Sequence, residues 1–135
     1  MNSSPNSAIG RSMKVGKEEI LGLVAAVVRF LSGGDEEDKE TWKARSTHVV
    51  EALKGIDGIK AYVMTDGQTA APEFAPRAYV DMDAGRAKET IREMREGEPS
   101  VSIRNVPGGI VVDPMTMMPG EEEVVARRLK ETLSK

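Results

Sequence analysis

The sequence predicts an α+β fold: a mainly antiparallel sheet with helices packed on one face, preceded by a long apolar helix. Three observations carry that expectation. Short stretches of alternating apolar and polar residues recur with brief connections, as in Ile59-Lys60-Ala61-Tyr62-Val63. Two of them flank Pro107-Gly108-Gly109, which reads as a hairpin turn. Between them lie charged segments whose apolar residues fall at helical spacing. Strands with short connections and separate helices build an α+β layer rather than a βαβ array.

The elements follow in order. Residues 1–16 hold Pro5, Gly10 and Gly16 among polar residues and read as extended loop. Lys17-Glu18-Glu19 opens a helix with acids in its first turn, where the dipole favours them. From Ile20 to Leu31 this helix is apolar on nearly all sides, the pattern of a buried helix, until Ser32-Gly33-Gly34 stops it. Asp35 caps a second helix running to about Lys54, with Trp42, Val49, Val50 and Leu53 as its apolar positions. The expected division is therefore a loop over 1–16, two linking helices over 17–55, and an α+β unit over 56–135.

Within that unit the first strand covers Ile59 to Val63 and the second Arg77 to Met82, with Ala78, Val80 and Met82 on one face. A loop rich in Gly and Pro separates them. A third helix from Gly85 to Glu96 is expected to bury Ala87, Ile91 and Met94. The hairpin pairs Ser100–Val106 with Ile110–Asp113, and a last helix to Leu133 buries Val124, Val125 and Leu129.

Composition excludes several classes of function. The chain has 135 residues, room for one core. Its net charge of −3, with acids and bases interspersed, offers no basic stripe for nucleic acid. Without cysteine there is no disulfide, thiolate nucleophile or cysteine-bound zinc. The longest apolar run is about half the ~20 residues of a membrane span, and the first residues lack the order of a signal peptide. A soluble, cytoplasmic protein is the expectation.

The segment richest in chemistry is Ile9-Gly10-Arg11-Ser12-Met13-Lys14-Val15-Gly16-Lys17. Three cations precede a helix N-terminus that is already positive. Either Glu18 and Glu19 balance them, or an anion binds at the free N–H groups of the helix start. His48, alone and mid-helix, reads as a surface histidine rather than a base. Met115, Met117 and Met118 read as gap-fillers more readily than as a site. Gly108-Gly109 lacks the spacing of a phosphate loop. Asp81 and Asp83 have no companion ligands for a metal.

Two segments resemble a known family. "AIGRSMKVGKEEILGLVAAV" and "SIRNVPGGIVVDPMTM" are similar to the small C-terminal domain of fold-type-I pyridoxal phosphate enzymes. The group is that of L-seryl-tRNA selenium transferase and D-glucosaminate-6-phosphate ammonia-lyase-like proteins, the latter the nearer. The resemblance implies a cytoplasmic, homo-oligomeric enzyme acting on an amino acid or amino sugar acid. It also implies a large domain upstream that carries the cofactor lysine, since no part of this sequence resembles that lysine's segment. Met1 would then be an internal methionine or a fragment edge, and the chain alone would be inactive.

The resemblance further implies roles for individual residues. Arg11 and Lys14 match a basic pair that meets an anionic group of the substrate. Lysine stands second where the transferases have arginine, which keeps charge but loses the planar fork. Lys17 falls on another basic position. Arg104 falls on the strand whose arginines bind a substrate carboxylate in fold-type-I enzymes, a pairing suited to two-pronged hydrogen bonding. The residues alone leave open whether Arg104 is a ligand contact or a solvent-facing strand residue, and whether the chain is an enzyme part or an autonomous binding module.

Overall fold

The computed structural model describes residues 15–64 and 75–135. The fold is α+β, with four helices and a four-stranded antiparallel sheet. The chain divides into two compact units that part between Glu36 and Glu37.

The first unit contains α1 (Lys17–Leu31). Its span is the one expected, with Glu18 and Glu19 in the first turn and Arg29 in the last. Expected as a buried helix, α1 buries none of its residues; Leu21, Leu23 and Leu31 are 69%, 67% and 77% exposed. Apolar side chains on every side are a demand for partners on every side.

In the second unit α2 (Gly34–Ala52, starting just before the division) delivers Val49 and Val50 to the core, and Leu53 follows just past its end. Trp42 is only half-buried. The strands are β1 (Lys60–Met64), β2 (Arg77–Asp81), β3 (Arg104–Val106) and β4 (Gly109–Val112), ordered β1-β2-β4-β3. Helices α3 (Ala84–Glu96) and α4 (Glu121–Leu133) complete the unit.

Register explains which residues are inside. Val80 pairs with Ala61 and Ile110, and Ala78 with Val63 and Val112. Side chains alternate along a strand, so these positions share one face, and that face meets the helices. Its core gathers Ala78, Val80, Ile110 and Val112 with Val49 and Leu53, Ala87 and Met94 of α3, and Val125, Leu129 and Leu133 of α4. Thr90 is buried where Ile91 was expected, Ile91 packing on the core edge; Val124 likewise yields full burial to Ala126. The first shift is one position along its helix and the second is two.

Local chemistry fixes the ends. Asp83 caps α3, its Oδ1 accepting from the backbone N–H groups of Gly85 (2.9 Å) and Arg86 (3.0 Å). Those donors stabilise the ionised form and hold its pKa below the ordinary aspartate value. Helices α3 and α4 cap each other with arginines: Arg86 donates to the Leu133 carbonyl (2.9 Å) and Arg128 to that of Glu93 (3.2 Å). Ser46 of α2, buried, donates to the Pro76 carbonyl (2.8 Å) at the start of β2. The strand expected from Ser100 pairs only from Arg104, because Val101 N–H turns away to the Met94 carbonyl (2.9 Å). No described helix is long and apolar enough to cross a membrane.

The hairpin turn works through close approach. Gly108 takes the left-handed conformation (φ 89°). A methyl on Gly109 would lie 2.0 Å from the Val80 carbonyl oxygen, inside contact distance. Gly109→Ala is expected to lower stability by about 1–3 kcal/mol through this overpacking, measured by urea denaturation. Gly22→Ala, with nothing within 4 Å of the new methyl, should leave stability unchanged or raise it by up to about 1 kcal/mol. Equal effects at the two sites would remove the packing argument.

Candidate functional site

The sheet face away from the helices carries the polar chemistry. Tyr62, Tyr79, Val111 and Arg104 are paired in one row across the four strands. The two tyrosine rings stack with centroids 5.9 Å apart and planes 13° from parallel. Tyr62 Oη donates to Asp81 Oδ1 (3.2 Å), and Lys60 Nζ lies 5.5 Å from the Tyr62 ring centre. Burial, then the Asp81 charge and its hydrogen bond, raise the Tyr62 pKa above its ordinary value.

One step beyond the β2–β4 ladder, Arg77 stands opposite Asp113. Arg77 Nε donates to Asp113 Oδ2 at 2.8 Å, and Arg104 Nη2 donates to the same oxygen at 3.3 Å. The other oxygen, Oδ1, accepts from the Met115 backbone N–H (3.2 Å). Two guanidiniums thus share one carboxylate. Arg77 and Asp113 are half-buried at 21% and 29% exposure, whereas Arg104 is 63% exposed. Arg104 makes this one hydrogen bond among the described residues, leaving the rest of its five-donor fork open.

Beside Arg104 the surface opens into a groove of about 680 Å³. Its floor is apolar, from Val101, Ile103, Val112, Met117 and Val124. Ser100, Ser102, Arg104, Asp113 and Thr116 supply polar groups, with Glu121 at the start of α4. The loop from Pro114 to Met117 is held by Arg45 of α2, whose Nη1 donates to the Met117 carbonyl (2.7 Å).

Of the residues singled out from sequence, Arg104 falls at this groove. Arg11 and Lys14 lie outside the described residues. Lys17 is exposed at the first position of α1. The carboxylates of Glu18 and Glu19 fold back over Gly16, within 2.9 Å and 2.2 Å of where its methyl would sit, so the helix start meets acids of its own. His48 is exposed, as expected of a surface histidine. Met117 packs against the core, but Met115 and Met118 are exposed and fill no gap. Asp83 is a helix cap and Asp81 a tyrosine partner; no cluster of three metal-ligating side chains occurs among the described residues.

Sequence reasoning missed Arg77 and the use of Asp113. The Asp113-Pro114 step was visible, but joining it to a residue 36 positions earlier requires the strand register. Among the described residues every lysine is exposed or half-buried.

The fold and groove define an α+β domain with an arginine-flanked cleft. No family model matches the chain. It is 37% identical over 136 residues to 5'-C-glycyluridine monooxygenase-decarboxylase from a Streptomyces species, covering 94% of this chain and 33% of that protein. It is also 29% identical over 133 residues to D-glucosaminate-6-phosphate ammonia lyase of Salmonella typhimurium (strain 14028s / SGSC 2262), covering 93% of this chain and 34% of the lyase. The chain spans about a third of the length of these curated relatives, both enzymes by name.

The tyrosine pair gives a pH dependence with a definite sign. Tyr62 binds its proton more tightly folded than unfolded. Its contribution to stability is therefore complete below the ordinary tyrosine pKa of about 10 and is lost as pH rises through the higher folded value. Phenolate absorbance should show Tyr62 ionising late, and Asp81→Asn should bring that ionisation to lower pH. An unchanged titration in the variant would exclude Asp81 as a cause.

Proposed function

We propose that this chain is the substrate-contacting C-terminal portion of a larger pyridoxal phosphate enzyme of the ammonia-lyase-like group. Its substrate would be an amino acid or amino sugar acid, with Arg104 as a carboxylate contact and Arg11 and Lys14 meeting a second anionic group. Three things support this reading: the named lyase relative, the relatives' threefold greater length, and the resemblance of the two sequence segments. The observation that carries it is the exposed Arg104, steadied by one bond to Asp113 at the mouth of the groove. The cofactor's attachment is assigned to protein outside the described residues. Within such an enzyme these residues bind and orient; a guanidinium offers a carboxylate two parallel hydrogen bonds.

The test is steady-state kinetics in the full-length protein. Arg104→Ala should lower kcat/KM for a carboxylate-bearing substrate by roughly 10- to 150-fold, the worth of a charge-assisted hydrogen bond. The cofactor absorbance band should stay unchanged. Arg11→Ala should act in the same direction, and Lys14→Arg should be mild because the charge is retained. Changes under about threefold, the scale of an exposed ion pair, would remove these assignments.

The same reading assigns a partner to α1: the remainder of the enzyme, including a second subunit. Contiguous apolar patches beyond a few hundred Å² are rare on monomers, and none of α1 is buried. The 135-residue chain alone is expected to self-associate or bind a hydrophobic dye, and Leu21→Lys with Val28→Lys should suppress both. A dye-silent monomer in light scattering would favour an autonomous module instead.

A further inference from the structure

We propose that Met115 is an oxidative modification site whose sulfoxide is held by Arg77. The site stands apart from the groove and from any substrate assigned to it. The side chains of Met115 and Met118 are 45% and 65% exposed, whereas Met94 is buried and Met117 packs against the core. Met115 differs from Met118 in its surroundings. Its backbone N–H donates to Asp113 Oδ1 (3.2 Å), and its Sδ accepts from Arg77 Nη2 at 4.0 Å. Arg77 also donates from Nε to Asp113 Oδ2 (2.8 Å). The two members of one ion pair therefore hold the backbone and the side chain of the same residue. The loop beneath is anchored as well, because Pro114 is buried and Arg45 donates to the Met117 carbonyl (2.7 Å). Met118 donates its N–H to Glu121 Oε2 (2.8 Å), but its sulfur meets no donor among the described residues.

The chemistry follows from the two states of the sulfur. A lone pair on Sδ attacks one oxygen of a hydroperoxide such as hydrogen peroxide, and the S–O bond forms as the O–O bond breaks. Sulfur gives up two electrons; the departing hydroxide takes the proton left on the transferred oxygen and becomes water. A thioether is a weak hydrogen-bond acceptor, and oxidation replaces it with a polar S–O group. A guanidinium already directed at the sulfur then gains a better acceptor, and charge-assisted bonds are the stronger class. The 4.0 Å separation suits an oxygen set on the sulfur and meeting Nη2 at about 2.9 Å in a bent arrangement. Oxidation of a core methionine such as Met94 would push a polar group into packed carbon. At Met115 it instead ties the loop after β4 to the first residue of β2.

The test is hydrogen peroxide treatment of the 135-residue chain, with each added oxygen located by fragment mass spectrometry. Met115 and Met118 should be modified ahead of Met94 and Met117, since susceptibility follows exposure. The nitrogen-15 NMR signal of Arg77 Nε should move in step with oxidation of Met115. That of Arg86, bonded to the Leu133 carbonyl, should stay in place. The same treatment of Met115→Leu should leave the Arg77 signal where it was. Urea denaturation gives the size of the contact. Oxidation should raise the unfolding constant roughly 2- to 12-fold more in Arg77→Gln than in the chain with Arg77, the net worth of one hydrogen bond. Met115 is exposed, so Met115→Leu keeps the fold and carries the test if Arg77→Gln unfolds. Met115 staying reduced while Met118 oxidises would overturn the site. So would an Arg77 signal that is still or that moves equally in Met115→Leu, or an equal cost of oxidation with and without Arg77.

Discussion

The pairing of β2 with β4 governs both halves of this domain at once. It sets Val80 beside Ile110 and Ala78 beside Val112, which places four apolar side chains under the helices. The same register, read on the opposite face, sets Tyr79 beside Val111 and Arg77 opposite Asp113. A slip of one residue would exchange the two sets, sending arginine and aspartate inward and valines to water. Gly109 guards against that slip, since the Val80 carbonyl comes too close for any side chain there. Core and candidate site are thus two readings of one ladder.

The arrangement at Asp113 has a division of labour. Arg77 is half-buried and bonded at short range, so it fixes the carboxylate. Arg104 reaches the same oxygen at longer range from an exposed position on the short strand β3. The tight pair is framework and the loose one is available chemistry. Behind them Arg45 ties α2 to the Met117 carbonyl, anchoring the loop that forms one wall of the groove.

How much of this was legible in the sequence differs by element. The helices and strands were readable to within a few residues at most ends, because their patterns are local: acids in the first turn of α4, alternation through β1 and β2, glycine in the hairpin. β3 was overestimated because Ser100–Ile103 alternates like a strand, yet Val101 N–H takes its partner from α3 rather than from β4. The burial of α1 was inferred from composition, which states what a helix needs and not what the chain provides. Arg104 was readable as a candidate through family resemblance. Arg77 was not, because its role depends on Asp113, and only the strand register brings those two residues together.

The sheet's borders carry a further implication. β1 at one margin begins with exposed Lys60, and β3 at the other is three residues long and presents exposed Arg104 and Asn105. Charged, abbreviated margins are poor templates for a foreign strand, since adding one there would strip water from a cation and gain few backbone bonds. Association of this chain with other protein is thereby steered away from strand-by-strand growth of the kind that ends in fibres.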